Sequence, residues 1–160
     1  MFIMNRIKYL LIMVCIAGCF AACKKDTPAF DEVAQFSADT TAIRAYLKEK
    51  GLTFQKNEKY GIFYQITNPG TGNVKYNGLT QVTASYEGRF LSGVAFDSST
   101  SASFPLQNVI PAWQFAVPQI QKGGSIRFIS PSFYGYRNVA NERIPANSIL
   151  DFTVTVIDLQ

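Results

Sequence analysis

The segments "LTQVTASYEGRFL" and "SILDFTVTVIDL" alternate in polarity with a period of two, and no other feature of the chain limits its fold so strongly. Val82, Ala84, Tyr86, Gly88 and Phe90 share one face of the first segment, opposite Thr83, Ser85, Glu87 and Arg89. Leu150, Phe152, Val154 and Val156 do the same in the second, opposite Asp151, Thr153 and Thr155. "GIFYQITNPGTG", which runs into a Pro-Gly turn at Pro69 and Gly70, and "SIRFIS" supply further strands. Such alternation predicts an antiparallel sheet with one covered face. The cover between the strands is "PAWQFAVPQIQKGG". Pro111 suits a first helical position, Trp113, Val117 and Ile120 recur at helical spacing, and Gly123 and Gly124 end the segment. Pro118 falls inside that helix, so a kink or an early end is expected there.

Upstream of the sheet, "ADTTAIRAYLKEKGL" reads as a helix capped by Asp39 or Thr40, with Ile43, Tyr46 and Leu47 on one face and Gly51 as its stop. It is too short for a stable isolated coiled coil, so it is expected to dock on its own domain. The first residues, "MFIMNRIKYLLIMVCIAGCFAACKKD", place basic Arg6 and Lys8 before an apolar run and small residues before a cysteine, the pattern of an export signal. The run of small residues resembles the lipobox of bacterial lipoproteins. "FAAC" makes Cys23 the expected acylated residue, with Cys19 in "IAGC" the alternative. The expected organisation is a signal over residues 1–22, a lipid-anchored linker over 23–38, a helical segment over 39–59 and a domain over 60–160. The protein is then an exported, membrane-anchored lipoprotein facing the periplasm or the cell surface.

Removing that signal takes two of the 15 basic residues and none of the 11 acidic ones, which leaves a net charge near +2. This is no footprint for nucleic acid. The chain has no histidine, and its three cysteines all precede residue 24. A Ser-His-Asp triad and a histidine-bound metal are excluded, and "KGGS" lacks the spacing of a phosphate loop. No metal and no cofactor is expected. What remains is the cluster in "VAFDSSTSASFPLQNVIPAWQFAV", where Phe96, Asp97 and the only tryptophan, Trp113, lie close together. Read alone, that is a core with a turn-capping aspartate.

Four motifs in order change this reading: "ASYEGRFLSGVAFDSS", "FPLQNVIPAW", "KGGSIRFISPSFYGY" and "IPANSILDFTVTVIDL". From Gly61 to Gln160 the chain resembles the FKBP-type peptidyl-prolyl isomerases. The resemblance implies an α+β fold, an antiparallel sheet wrapped around a short helix with an additional N-terminal helix before it. It also implies rotamase activity on proline-containing polypeptides. By the same resemblance Tyr86, Phe96, Asp97, Ile110, Trp113, Tyr136 and Phe152 are the catalytic residues, and Phe104, Val109 and Ile144 complete the substrate pocket. Macrolides such as rapamycin and tacrolimus are implied ligands. The chain departs from the family pattern at Ala102, Ala112, Arg137, Ala146 and Pro118. The first four alter the rim and Pro118 interrupts the helix, and the altered rim keeps open an alternative, a weakly catalytic or non-catalytic module that binds proline-containing or apolar segments.

Overall fold

The computed structural model describes residues 30–160. Six strands form one antiparallel sheet in the order β1-β2-β5-β6-β3-β4. They are β1 (Gln55–Asn57), β2 (Ile62–Asn68), β3 (Gln81–Arg89), β4 (Ala95–Pro105), β5 (Ser125–Ser130) and β6 (Leu150–Leu159). Helix α1 (Glu32–Glu49) precedes the sheet and helix α2 (Pro111–Ala116) lies between β4 and β5. The alternation predicted for β3 and β6 holds. The two pair with Ala84 opposite Val156, Tyr86 opposite Val154 and Gly88 opposite Phe152, so their apolar faces coincide. Through β5, where Ile126 meets Val154 and Phe128 meets Phe152, that face extends toward β2. Ala112, Trp113, Ala116 and Val117 of the α2 region pack into this core. Burial of such side chains is the main favourable term in folding.

Pro118 ends the helix early, as expected. The α-helical hydrogen bonding stops at Ala116 and one tighter turn, Val117–Gln119, replaces it. Proline has no N–H to continue the ladder, and its ring crowds the preceding turn. The α-helix on this face of the sheet is therefore only six residues long.

Two expectations are corrected. The first concerns α1, which begins at Glu32 rather than near residue 39, so the second half of the expected linker is helix. Its cap is Asp31, whose Oδ1 accepts the N–H groups of Val33 and Ala34 at 3.0 and 2.9 Å. Asp39 is buried at 3% exposure and makes tertiary contacts instead of capping. The second concerns the single covered face. Ile43 and Leu47 of α1 form a separate core with Phe63 of β2 and Ile129 of β5, on the face opposite α2. That end of the sheet is therefore covered on both sides, and the docking of α1 on its own domain holds.

Alternation could not show β4. Its "DSSTSAS" run is largely exposed and has no apolar face of its own. It is held as an edge strand by its ladder to β3, with Val82 opposite Phe104 and Gly88 opposite Asp97. That register brings Phe96 and Asp97 back over the core.

Candidate active site

Trp113 is the floor of a cavity of about 470 Å³ between the sheet and the segments that flank α2. The indole is only 5% exposed. Edge-on contacts hold it on three sides: Tyr86 at 5.1 Å, Phe152 at 5.4 Å and Phe104 at 5.5 Å between ring centroids. Each of these rings comes from a different strand, β3, β6 and β4. Edge-to-face packing of this kind favours defined ring positions over a loose apolar cluster. Phe96 adds a wall, perpendicular to Phe152 at 5.5 Å.

Gly88 makes room for that wall. A Cβ at this position would lie 2.6 Å from Phe96 Cζ and 2.7 Å from Phe152 Cε1, well inside van der Waals contact. Only glycine lets both rings cross the middle of β3.

Asp97 serves the wall and the turn together. Its Oδ2 accepts the Tyr86 hydroxyl at 2.8 Å, and its Oδ1 accepts the Ser98 N–H at 3.0 Å. Burial, followed by the hydrogen bond to Asp97, pushes the Tyr86 phenol up to about 12. Burial also raises Tyr136, with the charge of Asp97 adding to it. Both phenols are therefore neutral O–H donors throughout the physiological range.

Two donors face the cavity without protein acceptors among the described residues. Ile110 precedes α2 as its cap and lines the cavity, and its backbone N–H enters no hydrogen bond, whereas its carbonyl accepts from Trp113 and Gln114. The Tyr136 hydroxyl also lines the cavity and makes no hydrogen bond to the described residues. Gln114 fixes the segment that carries Ile110, donating from Nε2 to the Val109 carbonyl at 2.8 Å. Tyr136 sits at a sharp turn. Arg137, which follows it, has φ +55°, a left-handed conformation that glycine adopts more readily. The guanidinium stacks 4.4 Å above the Phe133 ring and holds the arginine there.

All ten residues expected at the site line this one cavity: Tyr86, Phe96, Asp97, Phe104, Val109, Ile110, Trp113, Tyr136, Ile144 and Phe152. Three lining residues, Asn108, Asn141 and Arg143, were not anticipated. Asn108 stands next to Val109 and Arg143 next to Ile144, so adjacency to a site residue is the only signal for these two, and Asn141 carries none. Cys19 and Cys23 lie outside the described residues.

The geometry has counterparts. A family model described as FKBP-type peptidyl-prolyl cis-trans isomerase matches residues 72–157. The FKBP-type peptidyl-prolyl cis-trans isomerase FkpA of Escherichia coli strain K12 is 34% identical over 119 residues, which cover 72% of this chain and 43% of that protein. The probable FkpA of Neisseria meningitidis serogroup B is 35% identical over 126 residues, 70% of this chain and 46% of its own. This chain thus spans less than half the length of either relative. Among solved structures, the crystal structure of FkpA from Escherichia coli superposes with a TM-score of 0.68 at 31% identity, covering 79% of this chain and 60% of that one. A peptidyl-prolyl cis-trans isomerase from Pseudomonas syringae gives 0.65 at 26% identity, covering 83% and 98%. Fold, aromatic cavity and sequence agree, and the chain belongs to the FKBP-type peptidyl-prolyl cis-trans isomerase family.

Proposed function

We propose that this protein is a rotamase that turns X-Pro bonds of exported polypeptides while they fold. The observation that carries the reading is an aromatic cavity lined by two donors without acceptors among the described residues, the Ile110 N–H and the Tyr136 hydroxyl. The barrier to rotation, roughly 18 to 20 kcal/mol, comes from amide resonance, and no proton has to be transferred to cross it. A planar amide is more dipolar than a twisted one, so water favours the ground state and a dry pocket removes that advantage. Phe96, Trp113, Ile144 and Phe152 supply the dry surface for the proline ring. The Ile110 N–H and Tyr136 hydroxyl hold substrate carbonyls in the bent form. Asp97, fixed by Tyr86, sets a negative charge beside the carbonyl that rotates. Only contacts that strengthen as the amide twists raise the rate. Rapamycin or tacrolimus would occupy the same cavity, and Trp113 fluorescence would report it.

The test is turnover of an X-Pro peptide by the full chain between about pH 5 and 8. The expected profile is flat, because no group in the cavity exchanges a proton. Asp97→Asn should lower turnover about tenfold, equivalent to about 1.4 kcal/mol of barrier, without changing the shape of the profile. A steep pH dependence that disappears in Asp97→Asn would make the carboxylate an acid-base group. Peptide binding without turnover would instead leave the chain a binding module.

The reading includes export and a lipid anchor at Cys23, with Cys19 the alternative. No helix among the described residues is long and apolar enough to cross a membrane. Metabolic labelling with a fatty acid should be lost in Cys23→Ser and kept in Cys19→Ser. The opposite pattern would move the anchor to Cys19.

A further inference from the structure

We infer that Arg143 is a specificity-determining residue that favours substrates with a carboxylate on the residue before the proline. The inference rests on the isomerase reading of the cavity. Asn141 builds the turn that presents Arg143: its Oδ1 accepts the N–H groups of Arg143 and Ile144 at 3.0 and 2.9 Å, and its own N–H donates to the Ile144 carbonyl at 2.9 Å. The two neighbours are thereby divided in role. Ile144 is buried in the wall at 4% exposure, whereas the Arg143 side chain is 71% exposed at the rim.

Arg143 is the only cation among the residues lining the cavity. Its guanidinium makes no hydrogen bond to the described residues and one long ion pair, Nη1 to Asp97 Oδ1 at 3.6 Å. Asp97 already accepts the Tyr86 hydroxyl and the Ser98 N–H at shorter distances. An exposed pair of this length contributes little to stability. The guanidinium has five donors in a planar fork that suits a carboxylate, and a single long contact leaves most of them free. The neighbouring carboxylate of Glu142 forms no ion pair with it, and Asp97 is its one acidic partner among the described residues. Asp97 stands beside the carbonyl of the residue before the proline in the reading above, so the cation next to it lies on that residue's side.

The experiment measures binding by Trp113 fluorescence, using the full chain and three peptides that differ only in Glu, Gln or Lys before the proline. The Glu peptide should bind about two- to fivefold more tightly than the Gln peptide, the scale of one exposed ion pair, and the Lys peptide more weakly than either. Arg143→Gln should abolish the difference between Glu and Gln, and Arg143→Lys should keep most of it. At about 1 M salt, where charges are screened within about 3 Å, the preference should fall toward one. Equal binding of the Glu and Gln peptides to the wild type overturns the inference. So does an Arg143→Gln variant that weakens all three peptides by one factor, because Arg143 would then only neutralise Asp97. Turnover is read separately: a chain that binds with this preference but turns no peptide supports the inference and refutes the isomerase reading.

Discussion

The pocket depends on residues that take part without touching a substrate, and Gly88 is the clearest of them. It lies opposite Asp97 on one side and Phe152 on the other, at the one point of β3 where two aromatic rings must cross the strand. In Gly88→Ala the new methyl would meet Phe96 and Phe152 at 2.6 to 2.7 Å, so both rings must shift. Overpacking of this kind costs about 1 to 3 kcal/mol. Because the displaced rings are the pocket wall, catalytic efficiency should fall more than stability alone explains. Thermal melts and turnover of Gly88→Ala, both taken well below its melting temperature, check this. Unchanged turnover would show that the placement of the rings does not matter. Arg137 is a second such residue, since it accepts a left-handed backbone to follow Tyr136 and recovers part of that strain by stacking on Phe133.

At the scale of elements, α1 reaches the pocket through one buried carboxylate. Asp39 Oδ2 accepts the N–H and the hydroxyl of Ser132 at 2.8 and 2.6 Å, and its Oδ1 accepts Gln35 Nε2 at 2.7 Å. Ser132 opens the turn that leads to Tyr136, and its carbonyl accepts the Arg137 N–H at 2.9 Å. Asp39→Ala would leave the Ser132 N–H and hydroxyl buried without an acceptor, at a cost of about 2 to 3 kcal/mol. The loop holding Tyr136 should loosen as well, so the Michaelis constant should rise. Ser132→Ala removes one of the two bonds and should show a smaller form of both effects. A melting temperature unchanged in Asp39→Ala would mean that α1 is held by Ile43 and Leu47 alone.

For the whole molecule, the titration of half-buried tyrosines contributes to the loss of stability at alkaline pH. Burial pushes Tyr76 up to about 12, and its hydroxyl donates to the Ile120 carbonyl at 2.9 Å. Tyr86 is also pushed up to about 12. A group whose pKa is raised in the folded state contributes fully below its unfolded value, near 10, and loses that contribution as the pH climbs through the folded value. The melting temperature should hold to about pH 9 and fall from about pH 10 to 12. Tyr86→Phe should make that fall shallower. A curve that stays level through pH 12 would contradict the raised values of these two phenols. In the acid range, Asp158, held below the usual carboxylate value by Lys122, is surface-exposed and screened, so no comparable transition is expected from it.

Most of the sheet could be read from the sequence, because strand alternation is a local pattern, whereas the ten expected site residues came from the resemblance of four short motifs to a family, and all ten line one cavity. The early end of α2 at Pro118 was legible for the same reason, a proline acting on its own turn. What tertiary structure decided falls where local pattern is silent or ambiguous. Asp39 reads as a cap in the sequence, and only its burial against Ser132 gives it a different role and leaves the cap to Asp31. The alternation of β2 does not reveal that Phe63 will meet Ile43 of α1, since periodicity records a residue's face and not its partner. The serine-rich β4 has no apolar rhythm and is a strand because β3 offers it a ladder. Arg143 came to the rim because Asn141 closes a turn around it, while Asp97, which it faces, was placed there by β4. Sequence determined which residues are apolar, which turn and which recur with a period. Contacts between residues far apart in the chain were settled only when the sheet was assembled, because their energies depend on partners that no local stretch contains.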